Sequence, residues 1–228
     1  MLQRAARRIS SRVHLSLAAA GIVFGVLGAG LQGAAAQCPV GSIQCNQTRF
    51  ESADASLTST CFGVTASYDV VNGRLAATAG PGSFAIVRFV DQFELAGIAA
   101  PTPVPLQIHL SLTGFLAAAD VHYGALVFLG FGFTQGDVQG SLRQAFDSHF
   151  SAFEIDHVLT LDATIVPGEP FEVACNVQLN GIDRGGRIEG LLTFDGLPPG
   201  TRVQSCKGFE QAAVAVVRTT WGTIKALF

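Results

Sequence analysis

Charge is scarce in this 228-residue sequence: Asp, Glu, Lys and Arg make up 14% of it. Loss of the first 36 residues would remove four of the 14 basic residues and none of the 17 acidic ones, which leaves a net charge of −7. The remaining chain also has no basic run. These features argue against nucleic acid or an anionic membrane as a partner.

Catalytic and metal-binding motifs are missing as well. The sequence has no Gly-x-Ser-x-Gly elbow, no Walker loop, no His-Glu-x-x-His pair and no EF-hand spacing. No two cysteines have the C-x-x-C spacing of zinc ribbons and thioredoxin-type redox sites. We therefore predict a protein that needs no cofactor and is non-catalytic.

Tyr and Trp are rare: beside 17 Phe the chain has two Tyr and one Trp. Sugar-binding sandwiches usually present exposed flat aromatics, whereas Tyr68 and Tyr123 alternate in register with apolar residues, which predicts a place in the core. A carbohydrate-binding domain is one alternative. A small outer-membrane β-barrel is another, favoured by the terminal Phe228 and disfavoured by the lack of aromatic girdles.

The first 36 residues have the order of a secretory signal peptide. Four arginines without any carboxylate precede the apolar stretch 15–31, and three alanines at 34–36 follow it. This order predicts cleavage between Ala36 and Gln37. We expect a free mature protein, secreted or held at the cell surface, that does not span a membrane.

Apolar residues at every second position predict most of the strands. Segments 62–70, 104–113 and 171–180 alternate over their whole length, as in strands with one buried face. Turn residues rich in Gly and Pro separate further predicted strands at 74–79, 83–94, 121–133, 138–146, 157–166, 188–195 and 201–206.

Two segments carry signals other than simple alternation. Asn72-Gly73 lies between two predicted strands and predicts a type I′ hairpin turn, in which both residues have positive φ. The apolar residues of 142–153 fit a helix as well as a strand. We favour a strand over 138–146 followed by a loop, because the neighbouring segments are strands; a short helix is the alternative.

Eight or more strands with one apolar and one polar face predict an all-β fold. A two-layer antiparallel β-sandwich, of jelly-roll or Ig-like Greek-key type, would bury the apolar faces of two sheets against each other. The predicted organisation is a signal peptide with its helix at 1–36, a Cys-containing segment at 37–60, the sandwich at 61–207 and a C-terminal tail at 208–228.

Five cysteines follow the signal peptide, and disulfides persist in the oxidising compartment to which it leads. Cys38, Cys45, Cys61 and Cys206 are the disulfide candidates, and Cys38 and Cys45 are close enough in sequence to close a small loop. Cys175 alternates with apolar residues and is predicted to be a buried thiol. Because five is an odd number, at least one thiol is free or intermolecular.

A candidate metal site involves histidine. His109 lies on the polar face of its strand, and Asp120 and His122 share the polar face of the next predicted strand. If these strands formed a hairpin, the two histidines would face each other with Asp120 diagonal, as a two-His, one-carboxylate site. The alternative is an exposed polar ladder.

Glycoside hydrolysis requires two facing carboxylates and leaves no local motif. The candidate carboxylates are Glu154, Asp156, Glu172 and Glu189. On an acidic β-surface such residues are usually solvated, so a hydrolytic domain is an alternative rather than the main prediction.

Two strand corners share a sequence pattern. Segments 95–104 and 194–203 align without a gap, and each reads as a strand, a Gly turn, a short apolar segment, a tight turn and a second strand. The likeness reflects either a corner that recurs in sandwiches or an ancient duplication. With the Asp91-Gln92 lead, 93–104 and 191–209 resemble corners of uncharacterised secreted bacterial β-sandwich proteins. The resemblance implies an extracellular or cell-surface location and supplies no catalytic residue. The C-terminus lacks the apolar helix and basic cluster of the surface-sorted members.

These observations converge on an exported module. We predict a non-catalytic β-sandwich with a structural, adhesive or binding role outside the cytoplasm. Its partner is expected to be extracellular or on the cell surface, and the residues do not identify it.

Overall fold

The computed structural model describes residues 38–98, 102–118, 124–148 and 151–213. Within these ranges the chain has no helix, and so none long and apolar enough to cross a membrane. The predicted signal peptide with its cleavage site between Ala36 and Gln37, as well as Asp120, His122 and Tyr123, lies outside them. The strands are β1 (Gly41–Cys45), β2 (Thr48–Ser52), β3 (Ser56–Cys61), β4 (Val64–Asp69), β5 (Arg74–Ala79), β6 (Ser83–Ala96), β7 (Val104–Leu116), β8 (Ala125–Gln135), β9 (Val138–Ser148), β10 (Phe153–Ile165), β11 (Phe171–Gly181), β12 (Gly186–Asp195), β13 (Arg202–Ser205) and β14 (Glu210–Ala212).

The strands form two antiparallel sheets that pack against each other. The six-stranded sheet has the order β10-β7-β12-β5-β4-β3. The eight-stranded sheet has the order β14-β13-β6-β11-β8-β9, with β1 also paired to β6 and β2 to β1. The long β6 pairs with β1 at 85–88 and with β13 at 93–96. The predicted all-β, two-layer antiparallel sandwich is confirmed.

Alternate residues of the strands point between the sheets and form one continuous core. In β11, for example, Phe171, Val173 and Val177 are at most 1% exposed. The rings of Phe93, Phe171, Phe194 and Phe209 pack at centroid distances of 5.3–6.1 Å. Burial of each Phe contributes about 1.5–3 kcal/mol, so this cluster is a major source of stability. Tyr68 is also buried, as predicted.

Two glycine corners carry the chain from one sheet to the other. Gly97 follows β6 of the eight-stranded sheet and precedes β7 of the six-stranded sheet, and Gly196 joins β12 to β13 in the opposite direction. Both glycines have positive φ, 92° and 82°. The residues that follow them, Ile98 and Leu197, both pack against the core. The shared sequence pattern thus corresponds to a shared structural role.

Gly97 is enclosed by the other corner, because a Cβ atom there would lie 2.6 Å from the carbonyl oxygen of Gly200. We expect Gly97→Ala to lower the free energy of unfolding by about 3 kcal/mol, from the positive φ and the forced backbone displacement together. Urea denaturation followed by far-ultraviolet circular dichroism measures this loss.

Gly200→Ala is the matched control. Gly200 also has a positive φ, 81°, but a Cβ atom there meets nothing within 4 Å. Its replacement therefore carries only the backbone cost of about 1 kcal/mol. Equal losses in the two variants would contradict the close approach of the two corners.

The β4–β5 hairpin is present, but its turn differs from the predicted type I′ turn. The N–H of Gly73 donates to the carbonyl oxygen of Val70 at 3.0 Å, and Gly73 has a positive φ whereas Asn72 does not. The Asp69 carboxylate accepts hydrogen bonds from the N–H and the side-chain amide of Asn72, at 3.2 and 2.6 Å. The predicted turn type was wrong because the Asp69 carboxylate, through these two hydrogen bonds, stabilises a different loop conformation.

In the segment with ambiguous periodicity, residues 142–148 lie in a strand, and residues 149 and 150 lie outside the described ranges. β9 pairs with β8 along its whole length, and its inward row includes Leu142 and Phe146. Ser148 ends that row in a buried position, where its hydroxyl accepts from the N–H of Ala125 at 3.0 Å and donates to the carbonyl oxygen of Ala117 at 2.8 Å. A polar residue is tolerated there because its hydrogen bonds are satisfied.

The sheets extend beyond residues 61–207 at both ends. From the Cys-containing segment 37–60, β1 and β2 join the eight-stranded sheet, and β3 forms an edge of the six-stranded sheet. β14 lies in the predicted tail. Sequence patterns missed these strands because they are short and, in β2, exposed at nearly every position.

Candidate functional site

The outer face of the six-stranded sheet carries a groove of about 590 Å³. The groove crosses β3, β4, β5, β12 and β7, which makes it about 19 Å long at a strand spacing of about 4.8 Å. Its outward-facing lining residues belong to two cross-strand rows: Ser111, Leu191, Arg74, Asp69 and Ser56 in one, and Thr113, Glu189, Ala76, Ser67 and Thr58 in the other.

Short hydroxyl side chains dominate this groove. Five of the ten residues in the two rows are Ser or Thr, whose hydroxyls both donate and accept hydrogen bonds. Among the described residues that line the groove, Tyr68 is the one aromatic, and it is 1% exposed. The groove can therefore hydrogen-bond an extended polar chain, but this lining offers no exposed ring for stacking.

Arg74 and Glu189 place opposite charges in the middle of the groove. They are diagonal neighbours, because Arg74 lies opposite Leu191 and Glu189 lies opposite Ala76. Both side chains are exposed, and neither makes a hydrogen bond or ion pair with any residue that the structure describes. Asp69, in contrast, is occupied by its hydrogen bonds to the adjacent turn. A guanidinium and a carboxylate on this face are thus available to a ligand.

His109 lies on the same face, beside the groove. Its Nδ1 is 2.9 Å from the Thr160 hydroxyl on β10, and its Nε2 is 3.3 Å from the Asp195 carboxylate on β12. The hairpin assumed for the metal site is not formed, because β7 pairs with β10 and β12 while β8 belongs to the other sheet. The described ranges contain no cluster of three or more potential metal ligands. Asp120 and His122 lie outside those ranges, so the metal site stays a prediction.

The four candidate carboxylates divide between the two outer faces. Glu154 and Asp156 lie on β10 and Glu189 on β12 of the six-stranded sheet, whereas Glu172 lies on β11 of the opposite sheet. Glu172 therefore cannot pair with the other three. Asp156 and Glu189 both lie opposite Thr113, so their backbones are two strand spacings apart, about 10 Å.

Two charged residues that the sequence analysis missed, Asp91 and Lys207, are buried side by side. Asp91 occupies an inward position of β6 and is 0% exposed. Its carboxylate accepts hydrogen bonds from the backbone N–H groups of Gln92 at 2.9 Å and Lys207 at 3.2 Å. The Lys207 ammonium donates to the carbonyl oxygen of Val90 at 3.2 Å and lies 6.0 Å from the centre of the Tyr68 ring.

Burial shifts the pKa values of Lys207 and Tyr68. It lowers the pKa of Lys207 below the ordinary value of 10.5, and the negative charges of Asp91 and Asp54 oppose that shift. Burial also raises the pKa of Tyr68, whose hydroxyl donates to the carbonyl oxygen of Ser52 at 3.2 Å. Because Asp91 and Lys207 are enclosed, we assign them a structural role in holding the segment after β13 against β6.

A disulfide joins Cys38 to Cys206, whose Cα atoms are 5.6 Å apart and whose sequence separation is 168 residues. The expected small loop between Cys38 and Cys45 was wrong, because Cys45 ends β1 in a buried position and its thiol is free. Cys61 and Cys175 are also free. Cys175 is 0% exposed, as predicted, and burial raises the pKa of its thiol above the ordinary value of 9.0.

No protein-family model and no curated protein matches this chain. Among solved structures, it is similar to the enzymatically active domain of tailspike protein 4 of bacteriophage CBA120, at 12% identity and a TM-score of 0.31. That likeness covers 67% of this chain and 19% of the tailspike chain. An overlap this partial gives no information about activity or ligand.

Proposed function

We propose that this protein is an exported, non-catalytic β-sandwich module that binds an extended, hydroxyl-rich chain of the oligosaccharide class in the groove of its six-stranded sheet. The observation that carries the proposal is the groove itself, where Ser and Thr hydroxyls surround the exposed side chains of Arg74 and Glu189, which make no hydrogen bond or ion pair with any described residue. Hydroxyls, a guanidinium and a carboxylate complement sugar hydroxyls as donors and acceptors.

Hydrogen bonds rather than stacking provide this binding. Because water competes for such contacts, we expect a dissociation constant on the order of 0.1 mM, about −5.5 kcal/mol. A weak site of this kind is sufficient where several copies of the module bind one repeating ligand, because the linked contacts then add avidity.

Export is supported by two observations. The basic, apolar and small-residue order of 1–36 is typical of a signal peptide. The Cys38–Cys206 bridge is of the kind that persists in oxidising compartments. Protein recovered outside the cytoplasm should begin at Gln37, which N-terminal sequencing tests.

The binding proposal is tested with the purified mature protein on an oligosaccharide array, followed by calorimetric titration of the best ligand. We expect Arg74→Ala and Glu189→Ala each to weaken binding about tenfold, the loss of one charge-assisted hydrogen bond. Both side chains are exposed, so thermal stability should not change.

Arg88→Ala is the matched control, because Arg88 is an exposed arginine on β6 in the other sheet and its loss should leave affinity unchanged. Equal weakening in all three variants, or no retained oligosaccharide, would overturn the proposal. Release of reducing sugar that is lost in both Asp156→Asn and Glu189→Gln would replace it with glycoside hydrolysis.

A further inference from the structure

Two free thiols, those of Cys45 and Cys61, lie between the sheets at an edge of the sandwich. Cys45 ends β1 in the eight-stranded sheet, and Cys61 ends β3, the edge strand of the six-stranded sheet. Both side chains point inward: Cys45 is 1% exposed, and Cys61 packs against the core. The two cysteines are thus the end residues of strands that face each other.

The contacts of Cys45 place its thiol beside β3. Its Sγ lies 4.0 Å from the carbonyl oxygen of Ser59, which shares the inward row of Cys61. The pKa of the Cys61 thiol is raised to about 11, first by burial and then by the neighbouring Cys45 thiol. Two neighbouring inward thiols at the ends of facing strands are an arrangement from which a disulfide can form with little backbone movement.

We propose that Cys45 and Cys61 form a second disulfide that joins the two sheets in the exported protein. The oxidant is a small-molecule or protein disulfide, with oxidised glutathione as the representative. The Cys61 thiolate attacks one glutathione sulfur and releases the other as glutathione thiol; the Cys45 thiolate then attacks the Cys61 sulfur and releases the second. Two thiols are oxidised to one disulfide, and one glutathione disulfide is reduced to two thiols.

The bridge would secure the least supported edge of the six-stranded sheet. β3 is six residues long, and among the described strands of its sheet it pairs with β4 alone. A covalent link to β1 would hold this edge to the other sheet and limit its pairing with other chains. With Cys38–Cys206 it would account for four of the five cysteines and leave Cys175 as the odd thiol. This inference does not depend on what the groove binds.

Tryptic mapping tests the bridge in the full chain, after incubation of the folded protein with oxidised glutathione at mildly alkaline pH and alkylation in denaturant. Trypsin cuts at Arg49, between Cys45 and Cys61, so the bridge would join the peptide ending at Arg49 to peptide 50–74. The first peptide also holds Cys38, already linked to the peptide that contains Cys206. We expect all three peptides in one linked species, with Cys175 alkylated.

Cys61→Ala is the control that identifies the partners. In this variant peptide 50–74 should leave the linked species and Cys45 should be alkylated, while Cys38 stays linked to Cys206. Alkylation of both Cys45 and Cys61 in the oxidised wild-type protein would overturn the inference. So would alkylation of Cys38 in place of Cys45 in the variant, because that result means Cys45 pairs with Cys206.

Discussion

Removal of the Cys38–Cys206 bridge, in the variant Cys38→Ala/Cys206→Ala, is expected to lower the free energy of unfolding by about 5 kcal/mol. The reason is the 168-residue separation of the two cysteines, which restricts the unfolded chain strongly in the loop-entropy description. Domains have stabilities of about 5–15 kcal/mol, so this one link supplies a large share. Urea denaturation of both proteins gives the difference, and the slope should be steeper in the variant, whose unfolded state is more expanded.

Cys175→Ala is the comparison for this experiment. Cys175 is a fully buried thiol in no bridge, so its replacement leaves a small cavity and costs about 1 kcal/mol. Similar losses for the two variants would show that the bridge does not act on the unfolded chain. The backbone of Cys206 keeps its hydrogen bond to the carbonyl oxygen of Gln92 at 2.8 Å, so the variant retains that local contact.

Asp91→Ala is expected to cost about 3 kcal/mol, in part because it removes a negative charge that stabilises the buried Lys207 ammonium. The variant also removes the acceptor of two backbone N–H groups, those of Gln92 and Lys207 itself. The loss is read from urea denaturation at neutral pH. Asp54→Ala is the control: Asp54 also attracts Lys207 but is exposed, so its loss should cost less than about 1 kcal/mol.

The double variant Asp91→Leu/Lys207→Met separates charge pairing from packing. If the two charges stabilise each other, replacing both with apolar residues should cost at least about 1 kcal/mol less than the sum of the single changes. Additive losses would show that Asp91 acts through its backbone hydrogen bonds alone.

The fold was largely predictable because one property, alternation of apolar residues, decides which face of a strand is buried. β5 and the start of β7 lie where the pattern placed them, at 74 and 104. β1 and β3 could not be predicted in the same way, because they are stabilised by pairing with β6 and β4. These partner strands come later in the sequence, so the local pattern of β1 and β3 does not reveal the pairing.

The candidate site was less predictable for a different reason. Glu189 was recognised as an acidic residue of a strand, but its neighbour Arg74 is 115 positions away in sequence, and only the register of β5 against β12 brings them together. Asp91 has a local sequence signal, because it falls in the inward row of its strand with Phe89 and Phe93. A carboxylate in such a row requires a buried partner, and that requirement could have directed attention to Lys207.

The position of the Cys38–Cys206 bridge decides how the protein bears mechanical load. A pull between the chain that precedes Cys38 and the chain that follows Cys206 passes through the sulfur–sulfur bond. The strands enclosed between the two cysteines carry none of that tension, and of the residues described after Cys206 the segment 207–213, with Lys207 and β14, can detach. A tethered molecule of this design would stretch very little before its covalent link broke.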